Sequence, residues 1–138
     1  MDILSVNVYG LGYIGLPTAV LLANQGFVVS GVEVKLEAVK SINNGISHFV
    51  EPGLDKMLKS VVASGNLTAR LDAVSADVHI ICVPTPVDGG DIPSPNIKSV
   101  LDVAKVIVPV IRPNDMVIIE STCPVGTTSL VQSIFVEE

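Results

Sequence analysis

The stretch YGLGYIGLPTAVLLANQGF at residues 9–27 decides the fold. Its glycines Gly10, Gly12 and Gly15 follow the spacing G-x-G-x-x-G, between one apolar run that predicts a strand and a second that predicts a helix. Pro17 falls in or near the first turn of that helix, where a backbone N–H group has no partner inside the helix and its loss is tolerated. The stretch therefore predicts a tight strand-to-helix turn with the glycine spacing of a dinucleotide site.

Each glycine of this turn has a physical role. Gly10 allows the sharp turn, Gly12 leaves room for a pyrophosphate, and Gly15 lets the helix pack closely. Unpaired N–H groups of the first helical turn would face the phosphates, whose charge the helix dipole stabilises by about 0.3–1 kcal/mol. Glu33 ends the next predicted strand, 18 residues after Gly15, as expected for an acid that binds ribose hydroxyls. Its carboxylate would face a 2′-phosphate, so Glu33 favours NAD over NADP.

Predicted strands and helices alternate along the rest of the chain. Alternation of this kind predicts an α/β fold, here a Rossmann-like doubly wound parallel sheet in three α/β/α layers. We count five strands where a full dinucleotide-binding sheet has six, and we therefore expect a fold truncated after the fifth strand and its following helix. The predicted strands are 3–9, 27–32, 67–71, 78–83 and 116–120, and the predicted helices are 14–24, 36–42, 54–62, 97–108 and one that begins near 127 or 128.

Composition and charge exclude several classes of protein. The 138 residues suffice for one domain, and with 49% apolar and 16% charged residues the chain is not disordered. A net charge of −6 without a basic cluster argues against nucleic-acid binding. No apolar run reaches the ~20 residues of a membrane helix, and the N-terminus does not resemble a signal peptide, so we expect a cytoplasmic protein. Cys82 and Cys123 form no CxxC motif, so no metal site is predicted.

Four motifs carry a resemblance to a known family: GLGYIGLPTA (10–19), INNGISHFVEPGLD (42–55), ADVHIICVPTP (76–86) and VIIESTCPVGTT (117–128). Together they resemble the UDP-glucose/GDP-mannose dehydrogenase family. The resemblance implies NAD-dependent oxidation of the C6 alcohol of a nucleotide sugar to the uronate, with two NAD consumed. In that family an NAD-binding domain precedes a dimerising segment and a sugar-nucleotide domain. Residues 1–138 resemble only the first, which implies a homodimeric full-length enzyme and an inactive isolated domain.

The resemblance also implies a substrate and site residues. Two motifs, HFVEPGLD and ESTCPVGTT, are most similar to members that oxidise UDP-N-acetyl-D-mannosamine, and UDP-glucose is the alternative. Thr122 matches a threonine that helps to place a catalytic water, whereas Cys123 does not match the family's catalytic cysteine, which would follow residue 138. Glu33 stands where the family usually has Asp. The expected cofactor contacts are Gly10, Gly12, Tyr13, Ile14, Gly15, Glu33, Val83, Pro84, Thr85, Ser121, Thr122 and Thr128.

Two other functions remain open. One is an NAD(H)-sensing Rossmann module without chemistry of its own, and the other is a different Rossmann reductase. The loop at 85–86 and the stretch ESTCPVGTT favour the dehydrogenase, because sensing alone does not require them. A glycine turn without any ligand is the structural alternative, and a P-loop is excluded because no Gly-Lys-Ser/Thr follows the glycines.

Four further predictions concern single positions. Cys82 is expected in the middle of a strand as a buried, inert thiol. Ser94 and Pro95 are expected at the N-cap and first position of the fourth helix. His48 is interpreted as part of a polar loop, with a substrate or interface role as the alternative. Glu120 follows a strand at the edge of the sheet where ligands bind, and it either lines the site or caps the loop that follows.

Overall fold

The computed structural model of the chain describes residues 4–136. Helices cover both faces of a five-stranded sheet, and a small two-stranded hairpin lies beside it. Ile3, predicted as the start of the first strand, lies outside the described residues. In chain order the elements are β1 (Ser5–Tyr9), α1 (Gly15–Asn24), β2 (Val28–Val32), α2 (Leu36–Asn43), α3 (Leu54–Ala63), β3 (Leu67–Arg70), β4 (Val78–Ile81), β5 (Val87–Asp88), β6 (Ser94–Pro95), α4 (Lys98–Ile107), a 3-10 turn (Val108–Val110), β7 (Met116–Ile119) and α5 (Thr127–Val136).

The main sheet has the strand order β3-β2-β1-β4-β7, and every neighbouring pair is parallel. The chain runs outward from β1 through β2 to β3, then returns to place β4 on the other side of β1. This reversal leaves a crevice between the carboxyl ends of β1 and β4, where open α/β sheets bind ligands. The predicted five parallel strands and the Rossmann-like class are confirmed.

Two apolar clusters cover the two faces of the sheet because successive strand residues point to opposite sides. On one face Val6 and Val8 pack with Leu16 of α1 and Leu58 of α3. On the other face Tyr9 packs with residues of α4 and α5. Burial of one large aliphatic side chain contributes about 1.5–3 kcal/mol. The two clusters therefore fix β1 at the centre of the sheet and hold the loop that follows it in place.

The α4 face also contains a buried hydrogen-bonded chain. Asn7 Nδ2 lies 3.1 Å from the Tyr9 hydroxyl, which lies 2.8 Å from His79 Nδ1. The Tyr9 hydroxyl and His79 Nδ1 share one hydrogen bond, and His79 Nε2 lies 3.9 Å from Asp115 Oδ2. Burial lowers the pKa of His79, which the charge of Asp115 opposes only in part. Burial raises the pKa of Tyr9 to about 12.

Two predictions about local structure are wrong. Cys82 is not in the middle of a strand, because β4 ends at Ile81 and Cys82 begins the loop that follows. Ser94 and Pro95 do not begin the fourth helix, because they pair with β5 as the antiparallel strand β6. The helix starts at Lys98 instead, whose N–H donates to Asn96 Oδ1 at 2.9 Å. Ser94 and Pro95 therefore belong to the hairpin. The side chain of Asn96, instead of Ser94, accepts the hydrogen bond from the first N–H group of the helix.

Candidate functional site

The glycine loop leaves β1 at the carboxyl end of the sheet and enters α1. Gly10 has φ +88°, and a Cβ there would lie 2.7 Å from the Cys82 carbonyl oxygen. A Cβ at Gly15 would overlap the Gly10 carbonyl oxygen. A Cβ at Gly12, by contrast, would meet no described atom within 4 Å. Gly10 and Gly15 are therefore required by the fold of the loop, whereas Gly12 leaves space open in front of it.

A cavity of about 1120 Å³ lies in front of this loop. Its volume is larger than the roughly 300–1,000 Å³ typical of sites for drug-sized ligands, and it suits an extended ligand such as a dinucleotide. Gly15 is buried behind the loop, and Thr128 is exposed in the first turn of α5, so neither lines the cavity. The residues predicted from sequence that do line it are Gly10, Gly12, Tyr13, Ile14, Glu33, Val83, Pro84, Thr85, Ser121 and Thr122.

Glu33 lines the cavity at the carboxyl end of β2 and connects the glycine loop to β2. Its carboxylate accepts backbone hydrogen bonds from Leu11 at 3.1 Å, Val34 at 2.9 Å and Lys35 at 3.2 Å. A carboxylate has about four lone-pair sites, so one remains free to accept a hydroxyl. Glu33 therefore orients the loop as well as facing the cavity, a structural role that the motif did not reveal.

The opposite wall is formed by the loops after β4 and β7. Thr85 Oγ1 donates to the Thr122 carbonyl oxygen at 2.6 Å, and Ser121 Oγ lies 2.8 Å from the Val83 carbonyl oxygen. These contacts tie the two loops together, although they are far apart in sequence. The Thr122 side chain remains exposed at the cavity.

Glu120 lies on the same wall, at the carboxyl end of β7, and its side chain is exposed and lines the cavity. It accepts hydrogen bonds from Thr18 Oγ1 at 3.2 Å and from Cys82 Sγ at 3.0 Å. Burial raises the pKa of the Cys82 thiol, and the hydrogen bond to Glu120 and its charge raise it further. The thiol therefore stays protonated, but Cys82 is half-buried and lines the cavity, rather than being fully buried as predicted. Of the two roles that the sequence left open for Glu120, the structure supports lining the site.

An aromatic contact covers the glycine loop from the side of α2. Tyr13, 74% exposed, lies against Phe49 with ring centroids 4.5 Å apart. His48 meets the same Phe49 ring edge-on at 5.1 Å and lines the cavity. Sequence reasoning missed Phe49, although its position beside His48 was the available signal. Through His48 the loop at 46–53 thus contributes to the lining of the cavity, which the glycine motif alone did not predict.

Two other kinds of feature, a metal site and a membrane-spanning helix, are absent from the described residues. Between residues 4 and 136, no three His, Cys, Asp or Glu side chains come together in a way that could hold a metal ion. Within the same residues, none of the helices has the length and apolar character needed to cross a membrane.

The chain matches one family over nearly all of its length. A sequence profile described as the UDP-glucose/GDP-mannose dehydrogenase family, NAD binding domain, covers residues 4–138. This match confirms the resemblance carried by the four motifs. It also confirms NAD as the predicted cofactor, because the matched region is the NAD binding domain of that family.

Two curated relatives and one solved structure show the extent of the similarity. A UDP-N-acetyl-D-mannosamine dehydrogenase of Yersinia pestis is 46% identical over 128 residues, covering 93% of this chain and 30% of that protein. An NDP-N-acetyl-D-galactosaminuronic acid dehydrogenase of Ralstonia nicotianae is 42% identical over 93% of this chain and 30% of its own length. A UDP-glucose dehydrogenase structure from the archaeon Pyrobaculum islandicum is 32% identical with a TM-score of 0.88, covering 99% of this chain and 33% of that one. The chain thus spans about 30% of the length of the curated relatives.

Proposed function

The chain belongs to the UDP-glucose/GDP-mannose dehydrogenase family, and we propose that it is the NAD-binding domain, residues 1–138, of a UDP-sugar 6-dehydrogenase. The observation that supports this most strongly is Gly12, where the fold leaves open space in front of the loop without requiring a glycine for its own packing. A bound dinucleotide would explain why this space is kept open, because its pyrophosphate must approach the backbone closely.

The residues of the cavity fit the parts of NAD. Backbone N–H groups of the glycine loop and of the first turn of α1 would hold the pyrophosphate. Glu33 would accept a ribose hydroxyl with its remaining lone pair and would repel the 2′-phosphate of NADP. Tyr13 and Ile14 would flank the phosphates, since both side chains are exposed at the cavity.

The wall opposite Glu33 would hold the half of the cofactor that reacts. When NAD is bound, its nicotinamide ring supplies the acceptor for a hydride. Hydrogen bonds made by Val83, Thr85 and Ser121 would hold the two loops in place around this half of the cavity. Pro84 would line it beside them. Thr122 is proposed to place the water whose oxygen enters the carboxylate product, because its side chain is exposed at this wall.

The chemistry of alcohol oxidation explains why this domain would need the rest of the enzyme. Oxidation of a C6 alcohol to the uronate sends two hydrides to two NAD, and it requires a base and a nucleophile that holds the aldehyde. Cys82 is protonated and bound to Glu120, so it does not serve as that nucleophile. We therefore propose that residues 1–138 bind NAD but do not reduce it with a UDP-sugar.

We also propose that the full-length enzyme is a homodimer, as the family resemblance implies, and that it is cytoplasmic.

For the sugar we propose UDP-N-acetyl-D-mannosamine, on the basis of the 46% identity to the Yersinia pestis enzyme named for it. UDP-glucose is the second candidate, because the Pyrobaculum islandicum UDP-glucose dehydrogenase has a closely similar domain. The residues that contact the sugar would decide between them, and a full-length enzyme assayed with both substrates would measure the preference.

A titration with NADH tests the proposed site. Gly12→Val should abolish NADH binding without unfolding the chain, because the new side chain would enter the open space in front of the loop. Gly89→Val is a matched control, since a Cβ there also meets no described atom within 4 Å and Gly89 does not line the cavity. Normal NADH binding by Gly12→Val would show that the glycine motif is only a turn.

A further inference from the structure

We propose that Glu120 sets the preference of the site for the oxidised cofactor over the reduced one. The inference rests on the proposed function, because it concerns how the cavity distinguishes NAD⁺ from NADH. Nicotinamide carries a positive charge in NAD⁺ and none in NADH, so a nearby carboxylate stabilises only the first. Glu120 is thus a specificity-determining residue for the redox state of the ligand.

The placement of Glu120 follows from the two ends of the cavity. A dinucleotide that has its pyrophosphate at the glycine loop and one ribose at Glu33 must direct its other half toward β4 and β7. Glu120 is the residue that follows β7, and its carboxylate lines the cavity on that side. The carboxylate therefore lies in the half of the cavity that the nicotinamide would enter.

The contacts of Glu120 leave its charge uncompensated. Both of its donors, the Thr18 hydroxyl and the Cys82 thiol, are neutral groups. In the described part of the chain, no Lys, Arg or His side chain forms an ion pair with it. The two hydrogen bonds hold the carboxylate in place, one from α1 and one from the loop after β4. A fixed negative charge therefore faces the cavity.

Cys82 supports this arrangement as a positioning residue. Its thiol stays protonated, because burial and the adjacent carboxylate both raise its pKa. A protonated thiol donates to Glu120 and adds no charge of its own. The negative charge at this wall therefore belongs to Glu120 rather than to a thiolate.

Glu33 and Glu120, two of the acidic residues that line the cavity, should act differently on the two redox states. Glu33 lies at the ribose end, where NAD⁺ and NADH are chemically identical, so it should affect both affinities equally. Glu120 should favour NAD⁺ alone. A unit charge several ångströms away across a partly hydrated cavity changes an affinity ratio by about five- to tenfold.

The experiment is a pair of titrations with NAD⁺ and NADH on each of three proteins: the wild-type chain, Glu120→Gln and Glu33→Gln. The measured quantity is the ratio of the NADH to the NAD⁺ dissociation constant. Glu120→Gln keeps the size and an acceptor oxygen of the side chain, and it should lower this ratio by about five- to tenfold. Glu33→Gln should weaken both ligands and leave the ratio unchanged.

Several outcomes would overturn the inference. An unchanged ratio in Glu120→Gln, with both ligands still bound, would refute the role of Glu120 and leave the NAD site intact. A wild-type chain that binds neither ligand would refute the proposed function itself. If Glu120→Gln does not fold, as judged by circular dichroism, Glu120→Ala is measured instead. Glu120→Asp keeps the charge and should retain the wild-type ratio, and a ratio like that of Glu120→Gln would attribute the effect to side-chain shape.

Discussion

Glu33 and Glu120 stand at opposite ends of one cavity, and they are held in different ways. Glu33 accepts three hydrogen bonds from backbone N–H groups, all within or next to the loops that end β1 and β2. Glu120 accepts its hydrogen bonds from the side chains of Thr18 and Cys82, which come from two distant segments. One end of the site is therefore built from local backbone geometry, and the other from side chains that only the complete fold brings together.

The largest effect on stability should come from the glycine loop, at the end of the site that is built from backbone geometry. Gly15→Ala would place a Cβ against the Gly10 carbonyl oxygen, which cannot move without displacing the loop. Such overpacking costs about 1–3 kcal/mol, and more where backbone must shift. Urea denaturation should show a correspondingly lower free energy of unfolding.

Gly12→Ala is the matched control for that experiment, because its new Cβ would meet no described atom within 4 Å. We expect its free energy of unfolding to stay within about 1 kcal/mol of wild type. Equal destabilisation by the two substitutions would mean that the loop is not packed as described.

Loss of the Glu33 carboxylate should be the next largest effect. Glu33→Ala removes a charged acceptor from the ribose end and from the N–H group of Leu11. Hydrogen bonds to charged groups contribute about 1.5–3 kcal/mol, so NADH affinity should fall by that amount in a direct titration. Retention of full affinity would show that Glu33 serves only the loop, and the two ends of the site would then differ less than proposed.

Stability at mildly acidic pH should report on His79, which lies in β4 and is hydrogen-bonded to Tyr9 of β1. The pKa of His79 is lowered in the folded chain by burial. As pH falls below about 6.5, the unfolded chain therefore takes up a proton that the folded chain does not, and stability falls by up to about 1.4 kcal/mol per pH unit. Urea denaturation at several pH values between 8 and 5 should reveal this loss.

Two substitutions assign the pH effect to a residue. His79→Gln should flatten the dependence between about pH 6.5 and 5. His48→Gln is measured in parallel as a comparison substitution, because His48 is exposed at the surface of its loop. The same slope in wild type and His79→Gln would show that His79 is not the group responsible.

The smallest effect should come from the side-chain hydrogen bonds that join the loops after β4 and β7, on the wall opposite Glu33. Thr85→Val removes the hydrogen bond to the Thr122 carbonyl oxygen. A neutral hydrogen bond of this kind contributes about 0.5–1.5 kcal/mol. NADH affinity should fall by no more than that, and much less than in Glu33→Ala. A larger loss in Thr85→Val would reverse the ranking of the two ends.

The same difference explains what the sequence could predict. The glycine loop, the five strands and the position of Glu33 follow from spacing and periodicity, which act over short stretches of chain. The sequence does not decide the role of Glu120, because Thr18, Cys82 and Glu120 meet only after the sheet has formed. No local pattern contains that contact.

The errors near Cys82 and Ser94 have a related cause. An apolar run predicted that β4 continues through residue 83, but the sheet ends at Ile81, where the loop after β7 turns to bond the same strand. Ser94 and Pro95 have the composition of a helix start, yet pairing with β5 takes precedence. In both places tertiary hydrogen bonding overrides a correct local preference.

The central claim is that this cavity holds NAD with a ribose at Glu33. The most direct measurement is a titration of the wild-type chain with NADH and NADPH under identical conditions. A carboxylate facing the 2′-phosphate of NADPH should make its binding at least about tenfold weaker than that of NADH. Equal or tighter binding of NADPH would contradict the account, because Glu33 could not then occupy the ribose end of the site.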